Sequence, residues 1–243
     1  MGPQDPELKN LWQATSNHRR NLGTVDEYFL FYPILGSSMG ISLLCLDFEA
    51  RKWVTDPHVF LKTWNNVAQK ILAFAKTKNI GQELLIEQAI PATLELLTLL
   101  YLFRTNRIPT KPGTRWRHSQ VEVAESFVMQ IENSGELDSQ LEKRRTKLLK
   151  YGLTLQPFVV IIGSKTSFSS VLVIVNDAKY ECSNLMAAVD CCFKITWALS
   201  TKYQMESEII WKFLEKYVYD IKSDEVSDKI FLSVDALWSD NQT

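Results

Sequence analysis

The chain has few residues able to hold a metal. Three histidines occur in 243 residues (His18, His58, His118), and none stands at ligand spacing from the four cysteines (Cys45, Cys182, Cys191, Cys192). There is no C-x-x-C pair, so no zinc site and no other metal is expected. Four thiols among apolar neighbours do not make a disulfide scaffold. They read as reduced and buried, which fits a nuclear or cytoplasmic address. No signal peptide opens the chain. No G-x-S-x-G elbow is present. Gly163-Ser164-Lys165-Thr166 imitates the end of a phosphate loop but lacks the glycine before the lysine, so a hairpin loop is expected there and no cofactor. Charge of one sign is also missing. Lys+Arg is 27 against 28 Asp+Glu, a net −1. No global field draws the chain to nucleic acid or an acidic membrane, and such binding would need a local patch. The most apolar run, 84–103, carries Glu87, Pro91 and Glu95. It reads as a buried, kinked helix and not as a membrane span.

What is present is an ordinary globular composition, 46% hydrophobic and 23% charged, which excludes disorder as the dominant state. The first two-thirds reads as helical. An amphipathic helix is expected over 5–20, with Leu8, Leu11, Trp12 and Thr15 inward. Thr24 and Glu27 form a capping box for a short helix that Pro33 ends. The run 41–48 is helix or strand; eight residues cannot decide. Asp56-Pro57 starts a helix to about Lys78, with Asn79 and Gly81 as its stop. A helix over 121–131 and another over 137–150 follow, the latter with Leu141, Leu148 and Leu149 inward and Lys143, Arg144, Arg145 and Lys147 outward. After Tyr151-Gly152 the pattern changes. Strands are expected over 158–162, 171–175 and 178–182, with Asn176-Asp177 as a turn. Ser183 then caps a helix to about Ser200, and a last helix spans 206–221. The expected fold class is α+β, mainly α: a helical bundle with a small three-stranded antiparallel sheet in the C-terminal third, followed by two helices. The parts are 5–150 and 151–243, packed as a single domain.

No catalytic constellation emerges, and the chain is not expected to be an enzyme. Asp190 lies beside Cys191 and Cys192, but Lys194 four residues on predicts a helical ion pair. Glu206 and Glu208 look solvated. The segment 104–118 holds five Lys/Arg and no acid. Arg104, Arg107, Lys111, Arg115 and Arg117, with Trp116 among them, can grip phosphates and stack a base, and the cluster 143–150 can extend the patch. Among seven tryptophans, Trp12, Trp53, Trp64, Trp197 and Trp211 fit core faces. Trp116 and Trp238 are harder to bury. Exposed aromatics mark partner surfaces, so Trp116, Trp211, Tyr217, Tyr219 and Trp238 are the partner-binding candidates. From Glu206 to Thr243 there are nine acids and four lysines, which opposes the basic segment upstream.

Several landmarks recur as a set. They are Gln156-Pro157-Phe158 with Gly163, and Ala188-Val189-Asp190 with Cys192-Phe193-Lys194. Lys202-Tyr203, Glu206-Ser207 and Ile210-Trp211-x-Phe213 follow, ending in Tyr217-Val218-Tyr219-x-Ile221. Upstream stand Tyr28-Phe29, Tyr32-Pro33 and Leu46-Asp47-Phe48. In these the chain resembles a region of multicopy animal proteins of mobile-element ancestry. The resemblance implies an intracellular, nuclear protein that works by binding partners, and it brings no catalytic residues. The expected function is a non-enzymatic interaction or oligomerisation module, a homodimer or the partner of another protein, in a chromatin- or mobile-element-related factor. The alternative is a nucleic-acid binder using the loop 104–118.

Overall fold

The computed structural model describes residues 6–20, 22–77, 91–103, 107–108, 110–112, 116–164 and 167–222. The expected N-terminal helix is two helices, α1 (Pro6–Ala14) and α2 (Ser16–Arg19). Thr15 interrupts them: its hydroxyl donates to the carbonyls of Leu11 (3.0 Å) and Trp12 (3.2 Å), a local competitor for the helical ladder. Trp12 is buried, whereas Leu11 faces outward. Helix α3 (Val25–Phe31) carries the expected capping box, Thr24 with Glu27. Pro33 opens a 3-10 turn that leads into α4 (Gly40–Ala50), so 41–48 is helix. Gly40 makes that entry possible. A Cβ there would lie 2.2 Å from the Leu35 carbonyl oxygen and 2.7 Å from the Tyr180 hydroxyl.

Helix α5 (Val59–Thr77) follows Asp56, whose carboxylate accepts from the His58 amide at 2.9 Å. Phe60, Trp64, Val67, Ala68, Ile71 and Ala75 are buried on one face, as their spacing predicts. Helix α6 (Pro91–Leu102) begins at its proline, a position where the missing N–H leaves no bond unmade. The expected stop at Asn79 and Gly81 lies outside the described residues. Two short strands, β1 (Arg107–Ile108) and β2 (Trp116–Arg117), pair antiparallel.

Helix α7 (Gln120–Phe127) corrects the helix expected over 121–131. It ends at Phe127, and Val128 turns to extended geometry (φ −136°, ψ 103°). Strand β3 (Val128–Ile131) then pairs in parallel with β4 (Phe158–Ser164). The chain crosses between them through a 3-10 turn and α8 (Leu137–Lys150). Strands β5 (Ser167–Val175) and β6 (Ala178–Cys182) extend the sheet antiparallel, in the order β3-β4-β5-β6. The sheet is therefore four-stranded and mixed, where three antiparallel strands were expected. Gly163, at φ +113°, sits at the β4 bulge, where a Cβ would meet the Ser167 carbonyl at 2.8 Å. Asn176 takes φ +54° in the two-residue β5–β6 turn, a conformation asparagine tolerates.

Strand β4 reads as unbroken apolar sequence because both its faces are covered. Val159 and Ile161, with Val171, Val173 and Val175 of β5, join the main core. Phe158, Val160 and Ile174 face the other way, onto Leu137 and Leu141 of α8. Helix α9 (Leu185–Ala198) packs on the first face and is itself covered by α4. Its cap is Asn184, not Ser183: the Asn184 side chain accepts from the Ala187 amide at 2.9 Å. Helix α10 (Glu208–Tyr217) follows. The largest apolar cluster runs from Trp12 through Phe127 and Val159 to Tyr219, so it draws on both sides of Lys150. Each fully buried Phe or Leu in it contributes about 1.5–3 kcal/mol.

Candidate functional site

The expected partner aromatics are mostly inside. Trp211 and Tyr219 are 1% and 2% exposed, and Tyr219 stacks on Phe193 with ring centres 3.7 Å apart. Trp116 is buried too. It stacks on Tyr151 at 4.7 Å, and Lys147 sits 5.1 Å over its face. These three cannot meet a partner without unfolding. Tyr217 is half-buried against Phe213 at 4.7 Å. Trp238 lies outside the described residues.

The basic patch is also broken up. Arg104 and Arg115 lie outside the described residues. Arg107 stands opposite Arg117 across the β1–β2 pair. Arg117 and Lys111 are exposed. Of the extension expected from α8, Lys143 and Lys150 are exposed, while three other cations face carboxylates. Arg144 is buried, and its guanidinium donates to Glu206 at 2.9 Å. Lys147 pairs with Glu122, and Arg145 donates to Asp177 at 2.7 Å. Glu206, expected to be solvated, is 2% exposed. The stacking ring that would read a base has therefore been withdrawn from the loop.

His118 lies next to this internal pair and is buried. Its Nδ1, Arg144 Nε, Glu206 Oε2 and Ser207 Oγ have no hydrogen-bond partner among the described residues. Burial holds the His118 pKa below its usual value, against the pull of Glu206 and Glu122. The folded state then binds fewer protons than the unfolded chain between the lowered pKa and about 6.5. Stability is expected to fall as pH drops through that window, and His118→Gln should flatten the fall. Urea midpoints at pH 7.5, 6.5 and 5.5 check this. An equal fall in both proteins would show that His118 is not its source.

No family model, curated protein or solved structure matches this chain. Among the described residues no helix is long and apolar enough to cross a membrane. None of their His, Cys, Asp and Glu groups is arranged to hold a metal ion. The expected ion pair of α9 is present, with Lys194 2.6 Å from Asp190.

The surface feature that remains is apolar. Leu30 and Phe31, at the end of α3, are 73% and 62% exposed. The start of α3 lines a cavity of about 440 Å³, together with Leu149, Leu155 and Pro157. Asp26 is part of its wall, and Leu30 stands one turn further on the same helical face. Leu149, expected inward on α8, is 63% exposed at the cavity. Sequence reasoning missed this face. Its signal was the consecutive pair Leu30-Phe31 on a helix whose inward position, Tyr28, was already filled.

Proposed function

We propose that the chain is a non-enzymatic self-association module of a nuclear factor, of the mobile-element-derived kind its motifs resemble. The observation that carries this is the α3 face. One short helix presents two exposed large apolar side chains beside a cavity whose wall mixes Val25, Leu149, Leu155 and Pro157 with polar groups such as Asp26 and Arg145. Projection and cavity lie next to each other on one molecule, so two copies related by a twofold axis can exchange them reciprocally. Full burial of a Leu or Phe contributes about 1.5–3 kcal/mol, and twofold symmetry places four such side chains in the contact. That gives roughly 6–12 kcal/mol against an association penalty of about 4–15 kcal/mol. The two terms nearly balance, so a weak, concentration-dependent dimer is the expected product.

Light scattering between 10 µM and 1 mM tests this. The wild type should pass from monomer to dimer, and the double variant Leu30→Glu/Phe31→Glu should stay monomeric with an unchanged melting temperature. A wild type that remains monomeric throughout sinks the proposal. So does a dimer indifferent to the two substitutions. The buried Trp116 leaves the nucleic-acid alternative without its aromatic.

A further inference from the structure

The four-stranded sheet ends on an open edge. Strand β6 is its outermost strand, and among the described strands it pairs with β5 alone, Val175 opposite Ala178 and Val171 opposite Cys182. The two-residue turn makes Val175 and Ala178 a hydrogen-bonded pair, and such pairs alternate along an antiparallel ladder. Ala178, Tyr180 and Cys182 therefore turn their amides and carbonyls to β5. Lys179 and Glu181 turn theirs outward, and among the described residues no backbone group bonds to them there. Both residues are exposed. Neither a proline nor a bulge blunts the strand. This edge runs beside the apolar face of α3. The Asn176 side chain donates to Asp26 at 3.0 Å, which fixes the start of α3 at the β5–β6 turn. The Tyr180 hydroxyl donates to the Leu35 carbonyl just past the end of α3. Helix α3 thus follows β6 from its turn towards Tyr180, with Leu30 and Phe31 at the far end.

We propose that in the dimer formed by the α3 face a second copy of this chain pairs its β6 antiparallel to β6, with the twofold axis at Tyr180. This rests on the reading of that face as a self-association surface. The edge selects its own partner by charge. With Tyr180 opposite Tyr180, Lys179 of each copy lies opposite Glu181 of the other. These are two hydrogen-bonded pairs, and together they exchange four backbone bonds. A shift of two residues sets lysine opposite lysine or glutamate opposite glutamate. A shift of one sets outward groups against groups already bonded to β5. Lys179 also meets Asp138 of α8, a contact too exposed to hold it away. Antiparallel pairing sends the β5–β6 turn of each copy, and the cavity that Val175 and Asn176 line, towards the end of β6 to which α3 carries Leu30 and Phe31 in the other. Four backbone bonds do not hold two chains together alone. They set the register of a contact whose energy comes from the apolar face.

Charge reversal in the full chain tests the register, because it changes only exposed side chains. In Lys179→Glu acids oppose acids, and in Glu181→Lys bases oppose bases. Each variant is expected to dimerise about tenfold more weakly than the wild type, since both cross-strand pairs change sign. An equimolar mixture of the two restores both pairs and should return to within about threefold of the wild type. Light scattering from 10 µM to 1 mM reads all four samples. Amide hydrogen exchange at both ends of that range gives a second reading. Protection of the Lys179 and Glu181 amides should rise with concentration, whereas the Tyr180 amide, already bonded to β5, should be protected throughout. A wild-type dimer that both reversals leave unchanged overturns the β6 pairing. So does a mixture no stronger than its components, or a dimer whose Lys179 and Glu181 amides stay unprotected. In each of these cases the α3 contact still stands if Leu30→Glu/Phe31→Glu abolishes the dimer. A wild type that is monomeric at 1 mM overturns both.

Discussion

Replacing Asp47 by leucine is expected to destabilise the protein by about 3–5 kcal/mol, the range for removing one partner of a buried ion pair. Asp47 faces Arg19, with contacts of 2.8 Å at Nε and 2.6 Å at the terminal nitrogen, and the two side chains are 3% and 0% exposed. Arg19 also donates to Thr15 at 2.7 Å and to the Trp12 carbonyl, and lies 3.7 Å over the Trp12 ring. Without Asp47 its charge stays buried, and arginine cannot shed it. The converse variant, Arg19→Met, behaves differently. Burial already raises the Asp47 pKa against the pull of Arg19. Deprived of Arg19, the carboxyl can take a proton. The folded state then binds more protons than the unfolded chain above about pH 4. The Arg19→Met penalty should therefore be full at neutral pH and shrink as pH falls, while the Asp47→Leu penalty does not shrink, because that variant has no carboxyl to protonate. The pair Arg19→Met/Asp47→Leu should recover most of the loss, because the ion pair gains little beyond its desolvation. Urea unfolding of the three variants at pH 7.5 and 4.5 measures this. An Asp47→Leu loss under about 1 kcal/mol would show that water reaches Arg19.

Much of the architecture is legible where local physics decides alone. The Thr24 capping box, the single-faced helix after Asp56 and the Asn176 hairpin follow from short-range rules, and the structure holds all three. Strand β3 was not legible. No glycine or proline separates it from α7, and its pairing is made with Val159–Ile162 some thirty residues on. A tertiary contact overrides a local pattern there. Charge was misread for a related reason. Arg144 and Glu206 look solvated in sequence because each one's partner is 62 positions away. The candidate site was hidden by the opposite error. Trp116 was sought at the surface, yet it went inside, and Leu30 with Phe31 stayed out; Trp211 is in the core, as its place on a helix face predicts. Some of the residues that carry the resemblance, among them Phe48, Lys194, Trp211 and Tyr219, are buried, whereas Pro33 and Lys202 are exposed. A likeness in the buried ones speaks of packing and is silent about the surface.

The Arg144–Glu206 pair separates two kinds of buried charge by their effect on His118. One hydrogen bond of 2.9 Å ties α8 to the turn before α10, between side chains 5% and 0% exposed. Arg144→Met is expected to lose about 3–5 kcal/mol near pH 8, where Glu206 keeps an unpaired charge. His118 is the titratable base that feels Glu206. Without Arg144 that attraction is unopposed, and the His118 pKa should rise. A raised histidine pKa supplies stability at low pH that is lost as pH rises through it. The Arg144→Met deficit should thus narrow as pH falls through the range in which His118 takes up its proton. Glu206→Gln removes the other charge. It leaves the guanidinium in place, takes away the anion that pulled on His118, and should lower that pKa further. Its deficit should then widen as the solution is acidified. Proton NMR titration of the His118 ring in the two variants reads the shifts directly, and they should have opposite signs. Movement in one direction in both would mean that repacking around Trp116 governs His118, and that the charge of Glu206 does not reach it.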